Sequence, residues 1–106
     1  MHPVTPDGRY FVVQGQLWRC SNPALKDDER QSLVNELMAA RRDVKKAKAS
    51  GDASQVKLAR ENVLKAKVAL GERGPVWWND GRQDFNMHQV TNSPYAEWFS
   101  SLLESD

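Results

Sequence analysis

From residue 28 to 70 the apolar positions recur at steps of three and four, and this stretch dominates the chain. Leu33, Leu37, Ala40, Val44 and Ala47 follow one another at steps of four, three, four and three. That rhythm keeps them on one helical face, which Val34 and Met38 widen near its amino end. Asp27 is the expected N-cap, with Asp28 and Glu29 well placed against the dipole of the first turn. Ser50-Gly51-Asp52 ends the helix, because glycine accepts the left-handed cap conformation. A second helix begins near Ala53 or Ser54, with Val56, Ala59, Val63, Ala66 and Leu70 on its face and Leu64 and Val68 as a flank. So short a connection makes the two helices antiparallel. Alanines at Ala40, Ala47, Ala59 and Ala66 let the axes approach closely, and being small they bury little apolar area.

Ahead of this hairpin the rhythm is different. Thr5-Pro6-Asp7-Gly8 is turn chemistry. Tyr10-Phe11-Val12-Val13 and Gln16-Leu17-Trp18-Arg19 read as two strands joined by Gln14-Gly15, a β-hairpin over residues 10–19. Its register puts Phe11 and Val13 on one face with Trp18, and Tyr10, Val12 and Leu17 on the other. A lone hairpin is marginal in water, so it must pack on something. After Leu70, Gly71, Gly74 and Pro75 stop the second helix, and a tryptophan-rich segment follows. Asp84 to Val90 alternates polar and apolar residues, which suits an extended segment, with a helical turn as the alternative. Ser93-Pro94 is then an N-cap with proline at the first helical position. Tyr95, Trp98, Phe99 and Leu102 stripe a short last helix. The expected fold is α+β and mainly helical: one domain over 1–106, with the β-hairpin at 10–19, a long αα-hairpin at 28–70, and the tryptophan-rich segment and last helix at 74–104.

Composition narrows the class. Hydrophobic residues at 40% and charged residues at 27% fit a soluble globular protein and are too apolar for a disordered one. No apolar run approaches the length a membrane-spanning helix needs, so no membrane contact is expected. The start lacks the layout of a signal peptide, and the single Cys20 allows no internal disulfide, so a cytoplasmic location is expected.

The formal net charge of +1 conceals an uneven layout. Between residues 40 and 70, nine cations face three acids, a net +6; from residue 71 onward two face six, a net −4. Lys and Arg clustered on a helix can neutralise phosphates. They are also good helix formers suited to a solvated outer face. Arg41, Arg42, Lys45, Lys46, Lys57, Arg60 and Lys65 are therefore candidate polyanion-binding residues, without the helix-turn-helix, zinc-ligand or aromatic-platform pattern of a dedicated nucleic-acid reader. Trp77 and Trp78, being adjacent, must point in different directions: one is expected in the core with Trp18 and Trp98, the other as an interface anchor. Arg73 and Arg82 flank them and are placed to stack on the indoles or clamp an anion. Asp80, Asp84, Asn86 and His88 are the nearest approach to a catalytic cluster, yet a metal site needs three or four ligands and His2 is the only other histidine. Turn-capping acids and a backbone-bonded His88 are the plainer reading. Neither cofactor nor metal is expected, and no catalytic residue is assigned.

Several ordered blocks carry a resemblance across nearly the whole chain: Asp7-Gly8-Arg9-Tyr10, Leu17-Trp18-Arg19, Asn22-Pro23-Ala24-Leu25, Gly71 through Gly81 with its Gly-Pro-Val-Trp-Trp core, and Asn92-Ser93-Pro94-Tyr95-Ala96-Glu97-Trp98. They resemble a family of short bacterial proteins of unknown function, some members of which bear a label linking them to Tol-type biopolymer transport. The resemblance implies a bacterial source and a one-domain build, and it supplies no catalytic residues. The sequence alone points first to a non-enzymatic interaction module that binds a protein partner or self-associates through its helical hairpin. Nucleic-acid binding through the basic residues is the alternative, and an enzyme joining Asp84 and His88 to Trp77 or Trp78 comes third.

Overall fold

The structure is a computed structural model and describes residues 2–104. Its elements are β1 (Tyr10–Val13), β2 (Gln16–Arg19), α1 (Asp27–Ser50), α2 (Ala53–Leu70), a 3₁₀ turn (Val90–Asn92) and α3 (Ala96–Glu104). The fold is α+β and mainly helical. Among the described residues no helix is long and apolar enough to cross a membrane. The chain divides into two compact units, Met1–Cys20 with Trp78–Asp106, and Ser21–Trp77.

In the first unit, β1 and β2 pair antiparallel with Phe11 opposite Trp18 and Val12 opposite Leu17, so the two faces have the memberships the alternation predicts. Both residues of the connecting turn take positive φ, Gln14 at 52° and Gly15 at 78°, as a right-twisted two-residue hairpin demands. The pair is not left bare. Val4 bridges to Phe11 on one side, while Gln16 bridges to Gln89 on the other and Leu17 exchanges backbone hydrogen bonds with Met87 and His88. Tyr10, Val12, Leu17 and Val90 form the buried core, with Trp78, Phe85, Tyr95, Trp98 and Phe99 packed against it. Trp18 lies on the opposite face of the hairpin, which corrects its expected grouping with Trp98. The last helix also starts later than expected. Pro94 and Tyr95 form a turn, and Ser93 accepts from the Tyr95 amide while its own hydroxyl donates to the Val90 carbonyl.

In the second unit α1 and α2 are separated by Gly51 and Asp52 and pack along the predicted seam. Leu37, Ala40, Ala47, Ala59, Ala66 and Leu70 are buried, and Leu33, Val44, Val56 and Val63 are half-buried. The α1 N-cap is Lys26 rather than Asp27, and the Glu29 carboxylate accepts from the Lys26 amide. At the tip, the Asp52 carboxylate accepts from the Ser54 and Gln55 amides. Gly71 closes α2 at φ 87°, where a Cβ would meet Asn22 Cβ at 3.0 Å and Trp77 Cδ1 at 3.1 Å. Only glycine suits both the dihedral and the space.

Candidate interaction surface

Stepping 100° per residue around each helix separates the hairpin's outer residues onto two sides. On one side α2 presents Ala53, Val56, Lys57, Arg60, Glu61 and Leu64, which line a shallow groove of about 650 Å³. Leu64 is 54% exposed there, Val68 extends the same stripe, and Met38 emerges from the matching flank of α1. Arg41 and Lys67 stand on this side too, close enough that the Arg41 charge acts on the Lys67 ammonium. Burial, then repulsion from Arg73 and Arg41, pulls the Lys67 pKa below its ordinary value. The sequence rhythm marked Val68 and Leu64 as seam flank and Met38 as a widening of the seam. All three are exposed, because alanines draw the axes together and leave only a narrow strip between them.

The opposite side is mixed in charge. One depression of about 460 Å³ is lined by Asp43, Lys46, Gln55, Leu58 and Asn62 among others, and a second of about 350 Å³ by Glu36, Asp43, Asn62 and Lys65. Thus Lys46 and Lys65 sit apart from Arg41, Lys45, Lys57 and Arg60, and Arg42 points directly away from the seam. The acids Glu36 and Asp43 gather on the side that Arg41, Lys45, Lys57 and Arg60 do not occupy. None of those four cations forms an ion pair among the described residues.

Arg73 follows α2, half-buried, and donates to the Glu72 carbonyl at 2.8 Å. Trp77 belongs to the helical unit, where its ring lies beside Gly71, and Trp78 to the other, where it packs against the Tyr10 core. Arg9, a residue the sequence pattern did not single out, lies over the Trp78 ring at 4.6 Å. No local signal could have found it, since the arrangement depends on a contact between positions 9 and 78.

Around Arg9 the polar residues form a closed network. Its guanidinium pairs with Asp80 and lies 3.9 Å from Asp7, while Tyr95 donates to Asp7 at 2.6 Å and Thr5 at 2.7 Å. Burial opposes the Asp7 charge, but these hydrogen bonds, the Arg9 amide and the Arg9 charge together hold its carboxyl below the ordinary value. The Arg9 hydrogen bond likewise lowers Asp80. Arg82 is largely exposed at 3.9 Å from Asp80, and its carbonyl accepts from the Trp78 indole. Asp84 accepts from the Tyr10 hydroxyl and the Asn86 amide, and the buried Arg19 guanidinium lies 3.7 Å away. His88 is exposed, its backbone donates to Phe85 and accepts from Leu17, and its ring meets Phe85 edge-on at 5.5 Å. Among the described residues no three His, Cys, Asp or Glu side chains converge as metal ligands. A cleft of about 380 Å³ beside Arg9, Arg82, Phe85 and Tyr95 borders this network, but its acids and tyrosines are already committed to one another. The chain matches no protein-family model, no curated protein and no solved structure.

Proposed function

We propose that this protein is a non-enzymatic interaction module, and that the α1–α2 hairpin docks an acidic, amphipathic partner on its basic side. The single observation carrying this reading is the groove of Ala53, Val56 and Leu64, rimmed by the two cations Lys57 and Arg60 against one acid, Glu61. Exposed Leu64 and half-buried Val56 beside cations that form no ion pair among the described residues are the two halves of a helix-in-groove site. Burying Leu64 supplies affinity, at roughly 25 cal/mol per Å² removed from water, and the cations select an acidic face.

The test is a titration of isotope-labelled protein with a synthetic amphipathic helix of Glu and Leu residues. Amide shifts are expected at Lys57, Arg60 and Leu64, and binding is expected to vanish in the Arg60→Glu/Leu64→Glu double variant. Both side chains are exposed, so the fold survives the change, which circular dichroism checks. Equal binding by wild type and variant would end the reading.

Polyanion binding is the second reading, favoured by the crowding of Arg73 and Arg41 around Lys67, whose repulsion adds to burial in lowering the Lys67 pKa. A phosphate backbone would relieve that repulsion but gives Leu64, Val68 and Met38 no role. Titration with single-stranded and duplex DNA at two salt concentrations separates the two, because phosphate contacts weaken steeply with salt.

A further inference from the structure

Within the first unit, the cleft of about 380 Å³ takes its walls from Arg9, Arg82, Gln83, Phe85, Pro94 and Tyr95. Two guanidinium groups and a carboxamide supply its polar lining, and no acid of the described residues lines it. The two arginines are not equivalent. Arg9 spends both terminal nitrogens on Asp80 and lays its face on the Trp78 ring, so it brings charge without open donors. Arg82 is largely exposed, and its side chain makes no hydrogen bond among the described residues. Its Nε stands 3.9 Å from Asp80, whose carboxylate already accepts from Arg9 and from the Arg82 amide. A planar fork of N–H donors is therefore open at the edge of the cleft. Half-buried Phe85 and Tyr95 and exposed Pro94 are the apolar walls. Tyr95 donates its hydroxyl to Asp7, so it offers its ring and no donor. We propose that this cleft binds a small aromatic carboxylate, its ring against Phe85, Pro94 and Tyr95 and its two oxygens on the Arg82 fork.

The site lies wholly in the first unit and does not rest on the docking reading of the helical hairpin. A guanidinium matches a carboxylate through two parallel hydrogen bonds, and a flat ring packs well on aromatic faces. A bare anion would leave the apolar walls wet, and a neutral ring would leave the fork without its charge partner, so both halves are needed. The volume suits a ligand of one or two rings, since small-molecule sites run from about 300 Å³ upward. Water competes for the exposed fork, so the pair is weak and a Kd of about 1 mM is expected.

The test is a titration of the isotope-labelled full chain with sodium benzoate to about 20 mM, sodium chloride holding the ionic strength constant. Saturable amide shifts are expected at Arg82, Gln83, Phe85 and Tyr95. Benzamide has the ring without the charge and acetate the charge without the ring; each should bind at least about tenfold more weakly. Arg82→Gln should lose at least about tenfold in affinity, while Arg60→Gln on α2 should bind as wild type does. The Arg82 carbonyl, not its side chain, holds the Trp78 indole, so the fold should survive the change, which circular dichroism checks. Should it not, Gln83→Glu sets a negative charge in the same exposed wall and should weaken benzoate as much. Shifts that are absent, fail to saturate or are confined to the helical unit overturn the inference. So does benzamide or acetate binding as tightly as benzoate, or a folded cleft variant that binds benzoate as wild type does.

Discussion

Replacing Tyr10 with phenylalanine removes one oxygen from the centre of the first unit and tests how that unit is held together. Tyr10 is 0% exposed. Its ring meets Trp78 and Tyr95 edge-on at 5.8 and 5.6 Å, contacts that phenylalanine keeps. Its hydroxyl donates to Asp84 at 3.1 Å and accepts from the Phe85 amide at 2.8 Å, which phenylalanine cannot do. Asp84 retains the Asn86 amide, but the Phe85 N–H loses its acceptor. Leaving one such group unsatisfied costs about 1–3 kcal/mol, a drop in Tm of roughly 5–15 °C for a domain of this size. Urea unfolding followed by tryptophan fluorescence should show a lower midpoint with an unchanged slope. Alkaline pH adds an independent check. Burial, with the Asp84 charge and hydrogen bond, pushes the Tyr10 hydroxyl up to about 12, whereas the unfolded chain titrates near its ordinary 10.0. The raised value means that this stabilisation is complete below pH 10 and is lost as pH rises towards 12. Tyr10→Phe should make that alkaline loss shallower, leaving the part due to Tyr95, which is also raised. A loss under about 0.5 kcal/mol with an unaltered alkaline profile would refute the assignment.

Further substitutions probe the acid network, the helix termini and the seam. Asp7→Asn should flatten the acid side of the stability curve: the lowered Asp7 pKa gives stabilisation that is present above the ordinary carboxylate range and lost as pH falls through the folded value, read from unfolding midpoints below about pH 4. Gly71→Ala should cost about 2–3 kcal/mol, combining left-handed backbone strain with the 3.0 Å approach to Asn22. The same change at Gly51, where φ is 74° and nothing lies within 4 Å, should cost only about 1 kcal/mol by the same urea assay. Ala59→Leu should overfill the buried seam at a cost of about 1–3 kcal/mol and speed amide exchange along α1 and α2, whereas the exposed Leu58→Ala should do neither.

Local rules in the sequence were enough to determine the two helices, their antiparallel return and the hairpin register. Three-four spacing selects a helix face, Gly51 and Asp52 supply the turn and cap, and Gln14-Gly15 supplies the twist, all within a few residues of where they act. The candidate site was legible only as a list of cations. Which side of the hairpin each occupies, and that Leu64 emerges beside Lys57 and Arg60, follows from how closely the alanine seam draws the helices together. Tertiary structure alone decided that Arg9 covers Trp78, that Asp80 and Asp84 serve partners 71 and 74 residues away, and that Trp77 and Trp78 part company. Such contacts depend on chain closure over distances that no local propensity encodes, and a polar side chain is assigned its partner only once packing has brought that partner within reach.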